Sequence, residues 1–141
     1  MRFSIAIPTH DRGDNGPKWM RELLESIKSQ TFQDFEIVVS DQSKNSNIMD
    51  VCMEYSDDFD FKYVMYKGNV PCENINIALD ECEGDIIKIM FSDDIFVSDS
   101  ALELIDKAYR ETECLWMFSG FCGTKDGKNF YEIFTRIIDI K

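Results

Sequence analysis

The stretch DIIKIMFSDD, residues 85–94, joins a short apolar run to two adjacent aspartates. Its first seven residues are mostly large and apolar, which is typical of a strand that is buried on both faces. Asp93 and Asp94 follow at the point where that strand ends, and their carboxylates repel each other unless a partner offsets the charge. The stretch therefore predicts a buried strand, 85–91, whose end is marked by an acidic pair.

The same pattern extends in both directions, because short apolar runs alternate with segments of helical periodicity. Predicted strands cover 3–8, 35–40, 61–66, 85–91, 114–121 and 130–134, and predicted helices cover 18–30, 45–56, 73–82 and 100–110. Asp126–Gly127 predicts the turn of a hairpin between the last two strands. The alternation predicts an α/β fold with an open, mostly parallel sheet flanked by helices and a C-terminal antiparallel hairpin.

Composition limits the classes of function. With 141 residues, 44% of them hydrophobic, the chain is expected to form one domain, 1–141, with its own core. A net charge of −12 disfavours binding to nucleic acid or to an anionic membrane surface. Apolar runs never reach the roughly 18 residues of a membrane span.

Cysteine and histidine usage indicates the redox environment and limits the kinds of metal site that we expect. The five cysteines form no C-x-x-C pair, and the N-terminal residues do not read as a signal peptide. We therefore expect free thiols in a reducing, cytoplasmic environment. His10 is the only histidine, which excludes a metal site built from several histidines.

The tripeptide Ser-Asp-Asp occurs twice, so it cannot assign a function by itself. Asp57–Asp58 falls between a predicted helix and the next strand, at the amino edge of the predicted sheet. Asp93–Asp94 falls between a strand and the next helix, at the carboxyl edge, where open α/β sheets bind their ligands. Only the second copy is placed where a ligand is expected.

Other polar residues are predicted to reach the same carboxyl edge. They follow the first three strands and comprise Thr9, His10, Asp41, Gln42 and Asn69, together with the turn residues Pro8 and Gly68. Loops at one edge of a sheet can carry such side chains into a shared cleft. We expect a ligand site there that is built from hydroxyl, imidazole, amide and carboxylate groups.

The acidic pair suits a hard divalent cation such as Mg²⁺ or Mn²⁺, which shares its site with water and substrate phosphates. The alternative is that one of the two aspartates only caps a turn. The chain contains no Walker motif, no G-x-G-x-x-G after a strand and no G-x-S-x-G elbow. These absences argue against a P-loop enzyme, a dinucleotide-binding domain and an α/β-hydrolase.

Three segments in series resemble glycosyltransferase family 2, whose fold is called GT-A. SIAIPTHDR (4–12) resembles its first strand, and LLESIKSQTFQDFEIVVSDQS (23–43) resembles its helix and second strand. NVPCENINIALDECEGDIIKIMFSDD (69–94) resembles the stretch that leads into its D-x-D-type motif. The resemblance covers about residues 1–110 and implies a Rossmann-like GT-A fold that binds a nucleotide-diphosphate sugar.

The resemblance also implies roles for individual residues. The nucleotide-sugar site would comprise Pro8, Thr9, His10, Asp41, Asn69, Asn74 and Asp93. Asp94, together with Asp93, would hold Mn²⁺ or Mg²⁺, which would neutralise the charge of the leaving diphosphate. The implied reaction is hexosyl transfer from a donor, preferentially a UDP-sugar, to an unknown acceptor. The family often has a second acid after its second strand, and Gln42 stands there instead.

The resemblance implies that family members are longer, and we expect the part that carries their catalytic base and binds the acceptor to lie outside these 141 residues. We therefore expect a donor-binding half that transfers sugar weakly or not at all on its own and that functions with a partner chain or as a homo-oligomer. The alternative is a non-catalytic GT-A module that acts in binding or assembly.

Overall fold

The fold was described from a computed structural model, which covers residues 2–11, 13–117, 120–124 and 130–134. The elements in chain order are β1 (Phe3–Thr9), α1 (Gly16–Lys28), β2 (Phe35–Asp41), α2 (Asn47–Glu54), β3 (Phe61–Met65), α3 (Pro71–Asp80), β4 (Ile86–Ile89), α4 (Ala101–Thr112), β5 (Phe121–Thr124) and β6 (Phe130–Phe134). The chain divides into two compact units, Met1–Asp106 and Lys107–Lys141.

The first unit is built on a parallel sheet in which β1 to β4 lie in the order β3-β2-β1-β4. Phe3 pairs with Phe35 and Thr9 pairs with Asp41, so β1 and β2 are paired over their whole length and end side by side. The same Asp41 is opposite Met65 of β3. The predicted parallel α/β sheet is confirmed, and its first three strands end at one level.

One face of this sheet carries the main core. Phe3, Ile5 and Ile7 alternate along β1 and pack in one cluster with apolar side chains of the helices. The apolar residues at helical spacing along α1, which are Met20, Leu23, Leu24 and Ile27, are all fully buried. Burying this apolar stripe fixes α1, and therefore the loop before it, against the sheet.

The other face is covered by α3, which contacts β1 and β2. Ala78 of α3 is fully buried, as are Ala6 of β1 and Val38 of β2. The edge strand β4 has less cover on this side, because Ile87, Ile89 and Phe91 are 44%, 38% and 47% exposed. The expectation that every strand is buried on both faces therefore fails for β4.

A cluster of four residues closes the amino edge of the sheet, and we call it the amino-edge cluster: Ser4, Glu36, Glu83 and Gly84. Glu36 Oε1 accepts hydrogen bonds from Ser4 Oγ at 2.5 Å and from the Glu83 amide at 2.7 Å. The Gly84 amide donates to Ser4 Oγ at 2.7 Å. Burial raises the pKa of Glu36, but these hydrogen bonds outweigh it and the net shift is downward.

In the second unit, β5 and β6 pair antiparallel, as the predicted hairpin requires. The Asp126–Gly127 turn lies outside the described residues. The predicted strand 114–121 is wrong over 114–117, which are not in a strand, and the observed strand begins at Phe121. The left-handed backbone at Glu113 ends α4, and Leu115 after it is fully exposed. An apolar run becomes a strand only where a neighbouring strand accepts its hydrogen bonds.

Candidate functional site

A cleft of about 370 Å³ lies at the carboxyl edge of the parallel sheet. Its walls come from the ends of β1, β2 and β4 and from the first turns of α1 and α3. The lining residues are Pro8, Thr9, His10, Trp19, Gln42, Pro71, Asn74, Ile75, Phe91, Ser92 and Asp93. The volume falls in the lower part of the range of about 300–1,000 Å³ that is usual for small-molecule sites.

The end of β1 supplies two polar atoms that the protein itself does not use. Thr9 Oγ1 and His10 Nδ1 are buried and have no hydrogen-bond partner among the described residues. Thr9 is only 3% exposed, so bulk water does not solvate the side chain. A buried hydroxyl without a partner costs stability, and such groups call for an explanation. Thr9 and His10 both line the cleft, so these two atoms lie within or just behind its wall.

Asn74 lines the same cleft, but its amide is already engaged by the fold. Its Nδ2 donates to the Thr9 carbonyl oxygen at 3.1 Å, and its Oδ1 accepts from Ser40 Oγ at 2.6 Å. These two bonds join α3 to the ends of β1 and β2. Asn74 therefore holds the cleft's walls together, with both ends of its amide occupied.

Asp41 is fully buried and does not line the cleft. Its Oδ1 accepts from the amide and hydroxyl of Ser43, and its Oδ2 accepts from the Tyr63 hydroxyl at 2.5 Å. Burial, and then the hydrogen bond to Asp41, raise the pKa of Tyr63. The carboxylate is thus enclosed by its own chain and shapes the loop after β2.

The two carboxylates of the acidic pair lie in different surroundings. Asp93 is exposed and lines the cleft. Asp94 does not line it, and its Oδ2 accepts from the Phe91 amide at 3.2 Å, while the Asp94 amide donates to the Phe91 carbonyl at 2.9 Å. Asp94 therefore closes the turn that carries Asp93. Asn69 is exposed and is not a lining residue.

Lys88 is the charged residue nearest in sequence before this turn, and it lies within β4. Burial lowers the pKa of Lys88, and the negative charge of Asp94 raises it by a smaller amount. The described ion pairs do not include this lysine. None of the ion pairs among the described residues involves Asp93 either.

The described residues contain no group of three or more histidine, cysteine, aspartate or glutamate side chains that could enclose a metal ion. The cleft instead offers Asp93, with the hydroxyl of Ser92 beside it. One or two carboxylates, completed by water and substrate phosphates, are the usual protein share of a Mg²⁺ site. The donor set fits an ion that arrives with a diphosphate and does not fit a resident structural metal.

The other Ser-Asp-Asp copy provides an internal comparison. Asp58 lies in the turn after α2, and its Oδ2 accepts a hydrogen bond from Lys28 Nζ at 2.6 Å. Asp57 and Asp58 are exposed, and neither lines the cleft. The prediction that the two copies lie at opposite edges of the sheet is confirmed.

These features agree with a family-level match. The family model described as Glycosyl transferase family 2 matches residues 4–138. The chain belongs to glycosyltransferase family 2. The described residues also contain no helix that could cross a membrane, by length and apolar character.

Among relatives in this family, the chain is 31% identical over 98 residues to the poly(ribitol-phosphate) beta-N-acetylglucosaminyltransferase TarS of Staphylococcus aureus, which covers 67% of the chain and 16% of that protein. It is 30% identical over 111 residues to the GalNAc(5)-diNAcBac-PP-undecaprenol beta-1,3-glucosyltransferase of Campylobacter jejuni, covering 76% of the chain and 34% of that protein.

A solved family 2 structure shares the fold. The crystal structure of S. aureus TarS 1–349 in complex with UDP superposes with a TM-score of 0.70 and 28% identity, over 80% of this chain and 33% of that one. The GT-A fold predicted from the sequence is confirmed. The chain spans at most about a third of the length of these relatives.

The sequence did not assign Trp19, Pro71 and Ile75 to the cleft. Gln42, which was expected at this edge of the sheet, lies just after β2 ends at Asp41 and lines the cleft. Pro71 and Ile75 lie four residues apart on α3 and share one face with Asn74. Trp19 lies one residue before the buried Met20, and that position gave no signal of the cleft.

Proposed function

We propose that this chain carries the donor site of a glycosyltransferase that binds a UDP-sugar with Mn²⁺ or Mg²⁺ and transfers its sugar to an acceptor. The observation that carries the proposal is the pair of unpartnered atoms, Thr9 Oγ1 and His10 Nδ1, in a cleft that Asp93 also lines. Polar atoms that the fold leaves unpaired are suited to the ribose, base and phosphate oxygens of a nucleotide.

A uridine nucleotide is favoured by family membership together with the likeness to TarS, whose solved complex contains UDP. The names of two relatives describe N-acetylglucosaminyl and glucosyl transfer. Gln42 supports a base-binding end beside β2, because its Nε2 donates to the Gly68 carbonyl at 3.2 Å and this bond fixes the amide at the wall of the cleft.

Charge explains why a divalent cation belongs in the proposal. The chain has a net charge of −12, and a diphosphate brings more negative charge to a wall that contains Asp93. The cation would neutralise the charge that develops on the leaving diphosphate. Asp93 would hold it, with the carboxylate of Asp94 within the same turn, while the first turn of α3 adds its partial positive charge at the cleft.

Calorimetry with UDP tests the proposal directly. Titrations of the purified chain in Mn²⁺ and in EDTA should differ by tenfold or more in affinity, and Asp93→Asn should remove most of that difference. Asp57→Asn is the matched control, because it is also the first aspartate of a Ser-Asp-Asp copy and is exposed. Its UDP affinity should equal that of the wild type.

Tryptophan fluorescence gives an independent readout of the same site. Trp19 lines the cleft, whereas Trp116 is 58% exposed and is not a lining residue. UDP should change the emission of the wild type but not that of Trp19→Phe. Equal affinity for UDP in Mn²⁺ and EDTA would contradict the metal-linked donor site, and no binding in either would contradict the donor site as a whole.

A further inference from the structure

The segment 91–100, which we call the Asp93 loop, joins β4 to α4 and has few stabilising contacts of its own. Its internal bonds are the Phe91–Asp94 turn and a short group around Ser98, whose Oγ lies 3.0 Å from Ser100 Oγ. A loop that holds a metal-binding carboxylate must be fixed from outside if that carboxylate is to stay in one place.

The C-terminal end of α1 provides that external support. Ser26 Oγ accepts from the Phe96 amide at 3.1 Å, and the Thr31 amide donates to the Asp99 carbonyl at 2.7 Å. Thr31 Oγ1 also donates to Glu103 Oε2 at 3.0 Å, just beyond the loop. The loop is therefore attached to a helix end that lies more than sixty positions earlier in the sequence.

Gln30 is at the centre of this attachment and is 3% exposed. Its Nε2 donates to the Ser98 carbonyl at 2.9 Å and to the Ser26 carbonyl at 3.1 Å. Its Oε1 accepts from the Leu102 amide at 3.1 Å, in the first turn of α4. One side chain thus fixes the end of the loop and caps the helix that follows.

Only an amide can make this set of bonds. Two of the partners are carbonyl oxygens, which need donors, and the third is an amide N–H, which needs an acceptor. A glutamate carboxylate would face two carbonyl oxygens with no proton to donate. A methionine side chain of similar size would leave the Leu102 amide without its acceptor and would remove one donor from each carbonyl, leaving the Ala101 amide on Ser98 and Ser29 Oγ on Ser26. The chemistry of Gln30 is therefore specified by the loop and by α4.

We propose that Gln30 is a positioning residue for Asp93: it holds the Asp93 loop in the place where that carboxylate reaches the cation of a bound nucleoside diphosphate. The inference rests on the proposed donor site. Gln30 itself does not line the cleft, so its effect on binding passes through the loop.

The test compares Gln30→Met with Gln33→Met. Gln33 is exposed, and its Nε2 bonds to the Gln30 carbonyl oxygen rather than to the loop, so it is a matched control. UDP affinity is measured by calorimetry in Mn²⁺ and in EDTA. Gln30→Met should weaken UDP binding about tenfold in Mn²⁺ and leave the binding in EDTA unchanged, while Gln33→Met should match the wild type in both.

Hydrogen exchange supplies a readout that does not involve the metal. In Gln30→Met the amides of Phe96 and Leu102 should exchange faster, while those of β1 and β2 should not. If Gln30→Met fails to fold, Ser26→Ala removes the acceptor of the Phe96 amide alone and should give a smaller loss, about threefold, in Mn²⁺ only.

Two outcomes would overturn the inference alone. One is wild-type UDP affinity in Mn²⁺ with a loop that exchanges faster. The other is an equal loss of affinity in Mn²⁺ and in EDTA, which would indicate a general effect on the fold. A wild-type chain with no metal-linked UDP affinity would overturn the proposed donor site as well, so the two failures are distinguishable.

Discussion

The two edges of the parallel sheet differ in whether their buried polar atoms have hydrogen-bond partners. At the amino edge, Ser4 and Glu36 are buried, and they hydrogen-bond each other and the backbone of Glu83 and Gly84. At the carboxyl edge, Thr9 Oγ1 and His10 Nδ1 are buried without a partner among the described residues. Both edges belong to the same strands. The comparison shows that the amino edge uses its buried polar atoms within the fold, whereas the carboxyl edge, where we propose the donor site, leaves two of them unpaired.

The largest expected effect is at the amino edge. Glu36→Ala removes the acceptor of the buried Ser4 hydroxyl and of the Glu83 amide, whose hydrogen bond is partly buried. We expect the free energy of unfolding to fall by about 3 kcal/mol, since hydrogen bonds to a charged group contribute about 1.5–3 kcal/mol and unsatisfied groups add to the cost. Urea denaturation measures the loss.

The control for Glu36→Ala is UDP affinity, measured on the folded variant. It should equal that of the wild type, because the amino-edge cluster lies at the other end of the strands from the cleft. A variant that is stable but binds UDP poorly would contradict the assignment of stability to the amino edge and of ligand binding to the carboxyl edge.

Thr9→Val should have the converse effect at the carboxyl edge. The change replaces an unpartnered hydroxyl with a methyl group of similar size, so the folded protein should be as stable as the wild type or about 1 kcal/mol more stable. UDP affinity should fall about tenfold, which corresponds to one lost hydrogen bond of about 1.4 kcal/mol. Thermal unfolding and calorimetry on one preparation give both numbers.

A loss of stability in Thr9→Val, with UDP affinity unchanged, would mean that the hydroxyl serves the fold. Ser40→Ala is the useful reference in that case, because Ser40 Oγ donates to Asn74 Oδ1 at 2.6 Å and is therefore already used by the structure. It should lose stability.

A smaller effect of the amino edge should be visible as a dependence on pH. The pKa of Glu36 is lowered in the folded protein, so its charged form is favoured by folding. Its contribution is fully present above the unfolded pKa of about 4.3 and is lost as the pH falls through the folded pKa. Glu36→Gln should flatten the loss of stability below about pH 4.3, as followed by urea denaturation at several pH values.

If the free energy of unfolding of Glu36→Gln falls at acid pH as steeply as that of the wild type, other groups cause the fall. Asp11 is the first candidate, because burial raises its pKa but hydrogen bonds from Asn47, Asn45 and the Gly16 amide outweigh the burial. Asp11→Asn would then flatten the same part of the curve.

The smallest expected effect concerns the exposed ion pair of the second Ser-Asp-Asp copy. Lys28 and Asp58 lie 2.6 Å apart, but their side chains are 49% and 36% exposed. Surface pairs of this kind contribute about 0.2–1 kcal/mol. Lys28→Met should therefore lower stability by less than 1 kcal/mol, less so in high salt, and leave UDP affinity unchanged. A loss of UDP affinity would show that the two copies had been assigned to the wrong roles.

Much of the fold could be read directly from the chain. The apolar runs and helical periodicities of the first hundred residues predicted β1 to β4 and their helices, because the same residues that form each element also bury it. The apolar run at 114–117 was misassigned, since a strand depends on a neighbour that accepts its hydrogen bonds. The sequence alone does not show whether another strand lies beside a given segment in the fold.

The candidate site was predicted less completely. Pro8, Thr9, His10, Asn74 and Asp93 were expected at the cleft and lie there. Whether these residues bind a nucleotide sugar remains a prediction. Asp41, Asn69 and Asp94 were expected beside them, but Asp41 is enclosed by Ser43 and Tyr63, and Asp94 bonds the Phe91 amide. Such partners are set by side-chain packing, and a residue's place at the end of a strand does not reveal them.

The sequence by itself determined the parallel sheet, the edge at which its polar residues gather and the family, because these depend on local composition and on the order of elements. Only the tertiary structure decided which of two neighbouring aspartates lines the cleft and which side chains are already hydrogen-bonded. It also placed Gln30 against the loop of Asp93, through bonds that span up to 72 positions. Hydrogen bonds between distant segments form after the core has set their positions, and no local pattern encodes them.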